Sequence, residues 1–173
     1  MKTVGVAAAL AIALVVTGSA LAAGGNKTMV KADPLTGYQE ATPAGVSTGA
    51  SGSFEATIDE DASTIDYTLS YSGLEAPVLF AHIHFGNRFT SGGISAFLCG
   101  GGSKPACPQQ GTVTGTVTAA DVVGPTGQGI EPGAFAELVR AMRAGVTYTN
   151  VHSTKFPAGE IRGQINDTNQ RQP

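Results

Sequence analysis

The chain has 173 residues, with 10 Lys and Arg against 13 Asp and Glu, a net charge of −3 at pH 7. It contains no run of basic residues able to neutralise phosphates, which argues against a nucleic-acid ligand. Its length beyond any leader is enough for one domain with its own apolar core.

The N-terminus reads as a signal peptide over residues 1–22. Lys2 supplies a positive start, VGVAAALAIALVV an apolar core too short for a transmembrane span, and Ser-Ala-Leu-Ala at 19–22 the small residues of a cleavage site. Cleavage after Ala22 leaves nine basic against thirteen acidic side chains, a net of −4. No later stretch is long and apolar enough to enter a membrane, so the expected product is secreted or periplasmic. Residues 23–34 read as a flexible leader, 35–166 as the domain, and 167–173 as a polar tail.

Within the domain, Phe54, Ala56 and Ile58 alternate with polar neighbours, as do Ile65, Tyr67, Leu69 and Tyr71. That period of two predicts a hairpin turning at Asp59–Ala62. A strand over about 77–85 carries Ala81-His82-Ile83-His84-Phe85, and Ile94–Cys99 forms the next. Cys99 and Cys107, the only cysteines, bracket a loop rich in glycine. In an oxidising compartment the expectation is a disulfide, since the spacing does not suit a zinc knuckle. Gly111–Ala119 alternates Val and Thr, with Gly115 marking a bulge or a close approach. One helix is predicted, from Phe135, Leu138, Val139 and Met142 at i, i+3, i+4 and i+7, stopped by Gly145. Val146–His152 and Glu160–Ile165 close the series as strands. The sum is an all-β fold, an antiparallel β-sandwich or partly open barrel with one short helix.

His82 and His84 share one face of their strand, and His152 sits on another strand beside Tyr148 and Asn150. If those strands are neighbours, three imidazoles converge and suit copper or zinc. The competing reading makes the histidines internal ties, bonded to backbone carbonyls, Glu160, Tyr148, Ser153 or Asn150. Glu160 is a candidate to orient a histidine. Arg162 is a candidate partner for an acidic residue such as Glu40. No nucleophile elbow, nucleotide loop or HExxH motif occurs, so no catalytic residue is assigned and the expectation is not an enzyme.

The stretches LTGYQEATP (35–43), YTLSYSGL (67–74), AHIHFG (81–86), NVHS (150–153) and FPAGEIRGQI (156–165) together resemble the CHRD domain, first recognised in chordin and found singly in secreted bacterial proteins. The resemblance implies an extracellular β-module of undefined activity, with Gly159, Arg162 and Gly163 as structural positions. It also implies a protein partner, since chordin binds secreted growth factors. The His-x-His strand and closing GEIRG segment loosely resemble copper-zinc superoxide dismutase, but the additional histidines of that enzyme are absent here and dismutase activity is not expected. The reading is therefore an exported, non-enzymatic binding or structural domain, monomeric or weakly self-associating, without a cofactor. The alternative is a copper- or zinc-binding periplasmic protein using His82, His84 and His152, with Glu160, Tyr148 and Asn150 around them.

Overall fold

A computed structural model describes residue 1, residues 27–42 and residues 44–167. The expected signal peptide and most of the polar tail lie outside the described residues. Among the described residues, eight strands and one α-helix follow in chain order: β1 (Lys27–Thr36), β2 (Ser51–Asp59), β3 (Thr64–Ser72), β4 (Val78–Phe85), β5 (Gly93–Cys99), β6 (Gly111–Val117), α1 (Phe135–Arg143), β7 (Thr147–Ser153) and β8 (Ile161–Asp167). They form one antiparallel sheet in the order β5-β4-β7-β8-β1-β2-β3-β6.

The sheet nearly closes into a barrel. Across the gap between its two outer strands, β5 and β6, an isolated bridge joins Ala96 of β5 to Val122, in the segment that follows β6. Two tyrosines of β3 reach across the same seam: Tyr67 Oη donates to the Leu98 carbonyl at 2.7 Å, and Tyr71 Oη to that of Pro108 at 2.6 Å. Residues alternating along each strand fill the interior, with Phe54, Ile58, Ile65, Leu69, Ile83, Leu98, Ile161 and Ile165 fully buried. Each such side chain contributes about 1.5–3 kcal/mol relative to exposure. Helix α1 is too short to persist alone; its stripe of Phe135, Leu138, Val139 and Met142 packs into this same core. Gly145, at φ 68°, ends it.

The expected hairpin is β2–β3, paired from Ser51↔Ser72 to Asp59↔Thr64, and the Ala62 N–H donates to Asp59 Oδ1 in its turn. Gly115 marks a close approach and not a bulge. The β3–β6 register is unbroken there, and a Cβ would lie 2.5 Å from Tyr67 Oη.

One expectation is corrected. Residues 27–34, assigned to a flexible leader, are the greater part of β1, which pairs with β2 and β8 in the middle of the sheet. Val30, Ala32 and Leu35 point into the core. The alternation is masked because an irregularity between Ala32 and Leu35, at Asp33-Pro34, shifts the period by one residue. The cysteines are bonded, Cys99 to Cys107. Closing so small a loop contributes about 2.5 kcal/mol on the chain-entropy estimate.

Candidate metal centre

Strands β4 and β7 are neighbours, and their register sets Phe80 opposite His152, His82 opposite Asn150, and His84 opposite Tyr148. Because Ala81, Ile83 and Val151 face the barrel interior, the intervening residues face outward. His82, His84 and His152 thereby meet on the outer side of the sheet, where other chain covers them. Their exposures are 1%, 7% and 4%. Ring centroids are 4.5 Å apart for His82–His84 and for His82–His152, and 6.1 Å for His84–His152. One nitrogen from each ring lies within 4.8 Å of the others.

The hydrogen bonding of the rings is uneven. His84 Nδ1 donates to the Gly92 carbonyl at 2.8 Å, and His152 Nδ1 to the Pro157 carbonyl at 3.0 Å. A ring that gives its proton to a carbonyl through Nδ1 keeps a lone pair on Nε2. Both Nε2 atoms are buried without a partner, and so are both nitrogens of His82. Leaving a buried polar atom unpaired costs about 1–3 kcal/mol, so a cluster of four calls for an occupant. Burial also holds all three rings neutral at pH 7. It pushes His82 down to about 2, helped by the two neighbouring imidazoles, and His84 and His152 to about 4. Neutral imidazole is the ligating form, so an ion entering here displaces no proton. At metal–nitrogen bonds of about 2.0–2.1 Å, three ligands sit about 3.5 Å apart. The rings need to close by about an ångström to grip an ion.

Around the rings, Tyr148 and Arg162 form a stack. Tyr148 lies flat on His84, with an interplanar angle of 3° and centroids 4.6 Å apart, while the Arg162 guanidinium covers its other face at 3.4 Å. Tyr148 Oη accepts from the Gly92 N–H, so one residue, Gly92, is held by both the ligand ring and its stacking partner. Arg162, 2% exposed, donates to the carbonyls of Thr90 and Asn87 at 2.9 and 2.8 Å. It thus secures the loop between β4 and β5. Phe80 and Phe97, both half-buried, complete the walls with centroids 5.0 and 5.2 Å from His82.

Two expected neighbours do other work. Asn150 donates to Glu40 Oε1 at 2.5 Å and to the Ile161 carbonyl at 3.1 Å, not to a histidine. Glu160 is buried, but its Oε1 accepts from Thr48 Oγ1 and from the Glu75 N–H, both at 2.9 Å. It ties loops together and orients no imidazole. Gly159, at φ 131°, leaves room for that packing, since a Cβ there would come within 2.7 Å of Asn150 Nδ2 and both Glu40 oxygens. Gly163 faces inward, where a Cβ would press on Leu35 and Ala32 at 3.0–3.1 Å. The residues that sequence reasoning missed are Gly92 and Pro157, which act through backbone carbonyls, and Phe80 and Phe97, which resemble ordinary strand aromatics.

Glu40 faces Arg162 without the direct pairing expected, the guanidinium instead bonding backbone carbonyls. Burial pushes its carboxyl up to about 8, against the opposing influence of Arg162 and of the Asn150 hydrogen bond. A carboxyl whose pKa is higher folded than unfolded stabilises the fold fully below the unfolded value, 4.5, and loses that contribution as pH rises through about 8. The stability difference between wild type and Glu40→Gln is therefore expected to change by a few kcal/mol between pH 4.5 and 8.5. The wild type loses ground as pH rises. Urea unfolding across that range measures it, and a difference constant with pH counts against a buried, neutral Glu40.

A family model described as the CHRD domain matches residues 32–165. No curated protein and no solved structure matches the chain.

Proposed function

From a chain that belongs to the CHRD domain family and carries a three-histidine cluster, we propose a non-catalytic module that holds one transition-metal ion, copper or zinc. The supporting observation is the pattern of unpaired atoms. Two of the rings are fixed by carbonyls through Nδ1, leaving Nε2 free within a cluster that includes His82, and all of the unpaired ring nitrogens are buried. A tie needs partners on both sides of a ring; a ligand needs one side tied and one side open. The cluster has the second arrangement at His84 and His152.

The broader reading, a binding or structural module recognised by another protein, keeps its support in the fold and domain type, which are typical of non-catalytic binding domains. The bonded cysteine pair suits an oxidising compartment, secreted or periplasmic. Among the described residues, no helix is long and apolar enough to cross a membrane.

Equilibrium dialysis of the chain, purified without a polyhistidine tag, is the test. One equivalent of copper or zinc by elemental analysis is expected, falling below a tenth of an equivalent in the His82→Ala, His84→Ala, His152→Ala variant. Equal uptake by both proteins, or uptake by neither, rejects the reading.

A further inference from the structure

We infer that this centre is built for monovalent copper, Cu(I), in preference to Zn(II) and Cu(II); the inference rests on the metal-binding reading above and specifies its ion. The first argument is charge. The three ligands are neutral imidazoles, and among the described residues neither a carboxylate nor a thiolate joins the cluster. The two cysteines are bonded to each other. Glu160 bonds Thr48 and the Glu75 amide through Oε1, and its buried, unpaired Oε2 is not among the clustered ligand atoms. Glu40 bonds Asn150 and holds its proton at neutral pH, so it offers no negative charge. A positive charge stands behind the site instead: Arg162, stacked on the tyrosine that covers His84.

An ion in this place keeps its full charge in a buried setting. The cost of desolvation rises with the square of the charge, so a divalent ion is penalised about four times as heavily as a monovalent one. Imidazole by itself serves zinc and copper alike, which leaves charge and coordination number to decide.

Coordination number points the same way. Zinc held by three protein ligands takes a fourth, a water or substrate. The unpaired nitrogens of the three rings each expose less than 1 Å², and the Phe80 and Phe97 rings pack against His82. The Phe97 ring is itself pinned. A Cβ on Gly101, within the disulfide-closed loop, would lie 2.4 Å from it, so only glycine lets that loop settle on the ring. Three nitrogens under such a cover satisfy an ion content with trigonal coordination, as d¹⁰ monovalent copper is.

The test is competition for each ion on the whole chain without a polyhistidine tag: Cu(I) anaerobically against a chromophoric Cu(I) chelator, and Zn(II) and Cu(II) against chelators of known affinity. The expected result is one equivalent of Cu(I) bound at least 100-fold more tightly than Zn(II), with Cu(II) also weaker. Divalent binding that equals or exceeds Cu(I), and disappears in the triple histidine variant, overturns the choice of ion and leaves the metal centre standing. No binding of any ion overturns both. A second variant tests the charge argument without removing a ligand. Phe97→Glu sets a carboxylate beside His82 from a half-buried position and is expected to shrink the Cu(I) over Zn(II) preference at least tenfold. An unchanged preference in a variant of native circular dichroism rejects charge as the cause.

Discussion

Loaded with copper at a thousand times its dissociation constant, the chain is expected to melt about 10 °C higher than after chelation. Mass action at that ratio contributes about 4 kcal/mol to the folded state, provided the unfolded chain binds weakly. For a domain of this size each kcal/mol moves the midpoint by about 2–4 °C. The large effect follows from what the empty centre contains: four buried ring nitrogens with no hydrogen-bond partner, of which three, one from each ring, are relieved when an ion is held. His82→Ala is expected to abolish the shift, because His82 is the ring at 4.5 Å from both others and is bonded to nothing else. Differential scanning calorimetry of both proteins, with and without copper, decides it. Coincident midpoints for the wild type, or a shift that survives in His82→Ala, count against the centre.

Arg162→Leu is expected to destabilise the fold by about 3–5 kcal/mol. The guanidinium is 2% exposed, stacked on Tyr148 and bonded to two backbone carbonyls of the β4–β5 loop. Removing it strands both carbonyls and uncovers one face of the tyrosine. Arg162→Lys is expected to recover little, since an ammonium lacks the planar fork that reaches both carbonyls while stacking. Because the loop also carries Gly92, the acceptor for His84, metal affinity is expected to fall together with stability. Guanidinium unfolding gives the first quantity and dialysis the second. A loss below 1 kcal/mol would mean that water replaces the guanidinium without cost.

The strands were legible wherever one face is buried and the other wet. In β2 and β3 the alternation of Phe54, Ala56 and Ile58 with polar residues repeats the geometry of the pleat. The same rule failed at β1, where the irregularity between Ala32 and Leu35 breaks the period and hides a central strand. For the site, strand parity put His82 and His84 on one face, but the adjacency of β4 and β7 comes from topology, about which local periodicity is silent. The surroundings were read least well. Glu160 is close to His152 in sequence yet serves Thr48 and Glu75. The atoms that do orient the imidazoles are carbonyls of Gly92 and Pro157, groups every residue possesses and no side chain advertises.

The sealing of those nitrogens has a kinetic consequence. With each unpaired nitrogen less than 1 Å² from full enclosure, ions cannot arrive by simple collision with the ligands. Loading and release wait for the chain to open locally, through the loop that Arg162 secures or the glycine loop resting on Phe97. Uptake then saturates as ion concentration rises, at a ceiling equal to the opening frequency. The residence time of a bound ion becomes a property of polypeptide motion, which suits long retention better than rapid hand-over between carriers.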